Sequence, residues 1–137
     1  MSPENMKRDL FKSINNDDLV QVKKLIKEGV NVNAPESAGG WSALHYAAQM
    51  GNEDIVKELL AAGADPNYIG AASGQEGTVL SSKPLQVAQS SLNLANMVKS
   101  NPKLHFKKQE DEKLMRNPNA VTKFEKVVRL LEKVTKD

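Results

Sequence analysis

The chain has 137 residues, 39% hydrophobic and 26% charged, which fits one globular domain and not a disordered segment. It contains no cysteine, so disulfides and thiolate metal sites are excluded, and no run approaches the roughly 20 apolar residues of a membrane span. The net charge of +2 is unevenly spread, with one basic and six acidic residues in 35–82 against 12 and six in 83–137.

The start, Met1-Ser2-Pro3-Glu4-Asn5-Met6-Lys7-Arg8, is polar and leads into no apolar stretch of signal length. The expected location is therefore cytoplasmic, or outside the cell by a route that leaves no recognisable signal. Aromatic residues make up only 4% of the chain, so the core must come from Leu, Val, Ile and Ala, which favours closely packed helices. Basic residues are 16 Lys against three Arg. Arginine is the better bidentate reader of phosphates and bases, so this balance argues against nucleic-acid recognition.

Along the chain a repeat emerges. The segments Val22–Asn33 and Val56–Asn67 match at an offset of 34: Val22 with Val56, Lys23 with Lys57, Leu25 with Leu59, Gly29 with Gly63 and Asn33 with Asn67. Each is an apolar helical stripe closed by a glycine that can stop the helix in a left-handed conformation. Ahead of the second copy, Leu44, Ala47 and Ala48 share one helical face, and Gly51-Asn52 signals a turn into the next helix.

Ser42-Ala43-Leu44-His45-Tyr46-Ala47-Ala48, with Gly51, Ile55-Val56, Leu59-Leu60 and Gly63-Ala64-Asp65-Pro66-Asn67, resembles a nearly complete ankyrin repeat. That family repeats about every 33 residues as a β-turn and two helices, with a T-P-L-H-x-A signature. Here Ser stands for Thr and Ala for Pro. The resemblance implies an all-α ankyrin-repeat solenoid of three stacked helix pairs with capping-type terminal repeats, in one domain spanning residues 1–137. The repeats are expected at about 5–36, 37–70 and 83–134. Repeat one lacks the signature, as a terminal cap with a polar outer face can. Repeat three opens at Lys83-Pro84-Leu85-Gln86-Val87-Ala88, with Gln86 at the His position. Its first helix is expected to run on to Val98 and break at Asn101-Pro102, and its second to lie at Phe124–Val134. Insertions are expected at 68–82 and 100–120; within the latter, Lys103–Arg116 is expected to be solvated or partly disordered, the alternative being a partner-binding arm.

His45, three residues after Ser42, invites a catalytic reading. A nucleophilic pair would also need a group to orient the imidazole and an oxyanion hole, and no pattern supplies them. The resemblance implies that this His ties its turn to neighbouring repeats by hydrogen bonds. His105 sits in a charged stretch and is expected to be solvated. Two His without Cys give no metal-ligand spacing, and Gly70–Gly77 lacks the Gly-Lys-Ser/Thr ending of a phosphate loop. No catalytic, cofactor or metal residue is assigned.

What remains is binding. Trp41, the only tryptophan, falls by the resemblance in the turn ahead of the first helix on the concave side. Tryptophan is enriched among binding hot spots, the alternative here being packing on neighbouring turns. Gln49 and Met50 fall near the end of that helix, with Asn15 and Asn16 before them and Ser90 and Ser91 after. Tyr68, Ile69, Val79 and Leu80 are unusual for an inert loop, so 68–82 is either a contact or packing against repeat three. The expected partner-binding residues are Trp41, Gln49, Met50, Tyr68 and Ile69, on one concave patch extended by the 68–82 loop.

The function expected is that of a monomeric, non-enzymatic protein-binding module without cofactor. It would mask or recruit a partner protein as an inhibitor, immunity-type protein, host-directed effector or adaptor. Membrane binding is not expected. The alternative is nucleic-acid binding by the basic C-terminal region, where Lys103–Arg116 mixes basic and aromatic residues but is interrupted by Glu110-Asp111-Glu112.

Overall fold

A computed structural model describes residues 2–71 and 81–136. Helices α1 (Pro3–Asn15) and α2 (Leu19–Lys27) form the first pair, and α3 (Ala43–Met50) and α4 (Glu53–Ala61) the second. The third pair is α5 (Pro84–Ser100) and α7 (Ala120–Val134), with the short α6 (Gln109–Met115) between them. Two layers result, α1, α3 and α5 forming an inner one and α2, α4 and α7 an outer one.

Local chemistry sets the helix starts. The Ser2 hydroxyl accepts from the Asn5 N–H at 3.2 Å, Asp18 from Gln21 at 3.1 Å and Asn52 from Ile55 at 3.0 Å. Each cap satisfies an N–H group that the helix itself leaves unpaired. Apolar residues then meet between the layers: Leu10, Ile14, Leu44, Ala48, Ile55 and Leu59 are all at most 1% exposed, and Val127 and Leu131 continue the same core.

The 34-residue offset is visible in the backbone. Asp17 and Gly51, one offset apart, end α1 and α3 with φ of 59° and 69°. Asn33 donates to the Gly63 carbonyl at 3.0 Å and accepts from the Asp65 N–H at 2.7 Å. Its counterpart Asn67 accepts from the Lys136 N–H at 2.7 Å. One repeat position therefore ties the loop after each outer helix to the next.

Turns project beside the helices and pair. Residues Gly70–Ala71 (β1) and Ser81–Ser82 (β2) are antiparallel, Gly70 facing Ser82 and Ala71 facing Ser81. On its other side β1 meets the preceding turn, where Gly40 bridges Ala71 and the Ala71 N–H donates to Gly39 at 2.9 Å. A Cβ on Gly70 would lie 2.4 Å from the Gly40 carbonyl oxygen, so only glycine permits this approach. Residues 72–80, including Val79 and Leu80, lie outside the described residues.

Two features of the third pair differ from the expectations. Helix α7 begins at Ala120, four residues before Phe124. The stretch Lys103–Arg116 was expected to be solvated or partly disordered, yet it contains α6 and contributes Met115 to a second apolar cluster with Ala95, Val98, Ala120 and Phe124. Leu104, Phe106 and Leu114 pack against that cluster. Arg116 draws the insertion together. Its guanidinium donates to Glu112 at 2.9 Å and to the Pro102 and Leu104 carbonyls at 2.6 and 2.8 Å, and it lies over the Phe106 ring. A few apolar anchors and one multivalent donor suffice to fold it.

Phe124 joins this cluster to the stack by packing on Gly51, where an added Cβ would stand 2.7 Å from the ring. Gly51→Ala therefore carries both left-handed strain and a clash, while Gly63→Ala has positive φ but open space. The expected loss in urea unfolding is about 1 kcal/mol for Gly63→Ala and about 2 kcal/mol or more for Gly51→Ala. Equal losses would show that Phe124 does not lock that turn.

Candidate functional site

His45 lies at the centre of the polar contacts in the inner layer. Its side chain is fully buried, in the first turn of α3. Nε2 stands 2.6 Å from the Ser82 carbonyl oxygen, which can only accept, so this nitrogen carries the proton. Nδ1 is then the acceptor, taking the Ser42 N–H at 3.2 Å with the Ser42 hydroxyl 2.8 Å away. Both ring nitrogens are occupied by structural partners. Gln86 repeats half of this arrangement in the third pair, its side-chain oxygen accepting from the Lys83 N–H at 2.8 Å.

Aromatic rings surround the imidazole. Trp41 stacks on it at 5.7 Å between centroids and meets Tyr46 edge-on at 5.2 Å. Tyr68 approaches the same imidazole edge-on at 5.9 Å. Trp41 is thus partly buried and packed against the main core. Its indole N–H is buried with no acceptor among the described residues.

The five expected contact residues fall into two groups. Trp41 and Tyr68 meet through His45, and Ile69, 58% exposed, follows Tyr68 directly into β1. Gln49 is exposed and Met50 partly buried in the last turn of α3, about 6 to 8 Å along the axis from His45 at 1.5 Å rise per residue. Of the residues expected around them, Asn15, Asn16 and Ser90 are exposed. Ser91 is not, since it is buried with its hydroxyl donating to the Gln49 carbonyl at 3.4 Å. Its place on α5 faces α3, where the helices close together.

Sequence reasoning passed over the cations of α1. Arg8 and Lys12 are exposed four residues apart and line a groove of about 540 Å³ with Phe11, Asn15 and Glu36. Their spacing was the available signal. Among the described residues no group of three or more His, Cys, Asp or Glu is placed to hold a metal, and no helix is long and apolar enough to cross a membrane. His105 is exposed.

Residues 8–69 match the family described as ankyrin repeats (3 copies). Human 2-5A-dependent ribonuclease is 51% identical over 57 residues, covering 42% of this chain and 8% of that protein. Human mitochondrial disaggregase is 42% identical over 66 residues, covering 48% and 9%. Human ankyrin repeat domain-containing protein 40 is 36% identical over 52 residues, covering 38% and 14%. The similarity to these three proteins is confined to a small share of their length. Over residues 8–69 the chain carries ankyrin repeats, which are generally protein–protein interaction modules.

Burial lowers the His45 pKa from its ordinary 6.5, partly offset by the hydrogen bond to Ser82. The unfolded chain then binds the extra proton first, so stability is full above pH 6.5 and declines as pH falls toward the folded-state pKa. His45→Ala is expected to cost roughly 1–3 kcal/mol at neutral pH. His45→Gln should keep the Ser42 contact, as Gln86 does with Lys83, and remove the His45 share of the acid sensitivity. Urea unfolding of both chains between about pH 5 and pH 7 checks this. Identical pH slopes would mean that His45 is not buried neutral.

Proposed function

We propose that this chain, which carries ankyrin repeats over residues 8–69, is a non-catalytic module that masks or recruits a partner protein. Its repeats are read as 5–36, 37–70 and 83–134 of one domain, and it acts as a monomer. The inner face and the adjoining turns make the contact, through Trp41, Gln49, Met50, Tyr68 and Ile69.

One observation carries this reading: Ile69 is exposed and follows in sequence Tyr68, whose ring, like that of Trp41, packs on the buried His45 imidazole. An exposed isoleucine gains from being covered, and its neighbours lose little entropy when a partner docks because packing already fixes them. His45 does not compete as a catalytic group, because hydrogen bonds within the fold occupy both its nitrogens. The reading extends to an inhibitor, immunity-type protein, host-directed effector or adaptor, all of which act by occupying a surface.

The basic face of α7 favours a second reading. Lys126, Arg129 and Lys133 are exposed at helical spacing and could contact a nucleic-acid backbone. Affinity for such a ligand would fall steeply with salt, whereas binding around Ile69 would not.

Capture of partners by the intact protein, quantified afterwards with single variants, tests the proposal. Ile69→Ser is expected to weaken binding by about 1 kcal/mol or more while leaving the unfolding midpoint unchanged. Trp41→Ala is expected to cost about 2 kcal/mol in binding and also to lower stability, since the ring packs on the core. If Ile69→Ser and Gln49→Ala both bind as the parent does, this face is not the interface.

A further inference from the structure

Core residues of the three inner helices align at offsets of 34 from α1 to α3 and 41 from α3 to α5, as with Ser13, Ala47 and Ala88, all buried. The same offsets place Asn15, Gln49 and Ser90 in one row, and all three are exposed. The row carries no charge. The side-chain amides of Asn15 and Gln49 make no hydrogen bond among the described residues, so each presents a free donor and a free acceptor.

At the α1 end the row meets Arg8 and Lys12, two like charges on one face that repel each other. Neither belongs to an ion pair among the described residues, and the two carboxylates that line the groove with them, Glu4 and Glu36, each have another partner. Glu4 holds Lys7 at 3.4 Å, and Glu36 accepts from the Tyr46 hydroxyl. Arg116 is spent on building the insertion, whereas the Arg8 guanidinium remains open over the groove. A carboxylate between the two cations would remove their repulsion and could accept two parallel hydrogen bonds from the guanidinium.

We infer that the inner face takes an extended, acidic segment of a partner protein. One or two of its carboxylates sit between Arg8 and Lys12, and its main chain runs across Asn15, Gln49 and Ser90. Side-chain amides match this occupant because their donor and acceptor complement the N–H and C=O of an extended backbone. This rests on reading the inner face as the binding surface, and it adds the chemistry of what lies there.

The probe is a phage-displayed library of random linear peptides, selected on the intact immobilised protein at roughly 50 mM salt, where surface charges are weakly screened. The expected result is enrichment of Asp and Glu in the selected peptides. Combined Arg8→Glu and Lys12→Glu should weaken them about tenfold or more with the fold intact by circular dichroism. Gln49→Ala should weaken them about threefold, as for one lost hydrogen bond. Absence of enrichment, selected peptides without acidic bias, undiminished binding to the charge-reversed protein, or tighter binding of a single-stranded oligothymidine would each overturn the inference. If non-acidic peptides are selected and Ile69→Ser abolishes their binding, the wider reading stands and this one falls. If acidic peptides respond only to changes on α7, both fail.

Discussion

In a stack where each repeat touches only its neighbours, a polar group caught between repeats must be satisfied by the adjoining one. His45 is such a group. One nitrogen accepts from the start of its own helix and the other donates to Ser82 in the strand of the next turn. The imidazole therefore fixes the distance between α3 and β2, and the Trp41 and Tyr68 rings pack against it. The Gly40–Ala71 and Gly70–Ser82 pairings hold the turns side by side on that base. Without the imidazole, the Ser42 N–H and the Ser82 carbonyl would each lose a partner and the rings their common support.

Outer-layer ties work on the same principle with different chemistry. Asn33 and Asn67 span successive loops, each using its amide to satisfy backbone groups of the following repeat. Stability is thus distributed as nearest-neighbour contacts, and the inner face inherits its rigidity from them. A surface held in this way needs little reordering when it is covered. That is the physical link between the fold and binding.

Much of the fold was legible because its signals are local. The Val22–Asn33 and Val56–Asn67 segments show the helical stripe, the stop glycine and the turn, and the structure places α2 and α4 there. Ser42 and His45 pointed to a turn tie that the structure contains. The insertion was less legible because its order depends on long-range contacts. Phe106 and Met115 look isolated in a charged stretch until Arg116 and Phe124 bring them together, and no periodicity announces that. The face itself was only partly legible. Trp41 and Tyr68 share His45, which spacing alone does not show, whereas burial of Ser91 depends on how closely α5 approaches α3. Arg8 and Lys12 were passed over because unpaired cations four residues apart on a helix surface are common, and the groove they line with Phe11 and Asn15 exists only in the fold.

The coupling of the two repeats through a neutral, Nε2-protonated His45 can be observed directly. Long-range nitrogen–proton correlation spectra of the imidazole, recorded on the intact protein at neutral pH, report both the charge state and the tautomer of each histidine. His45 should show one protonated nitrogen, Nε2, and one acceptor nitrogen. An Nδ1–H tautomer or an imidazolium at His45 would contradict the account, because neither leaves Nδ1 free to accept from Ser42.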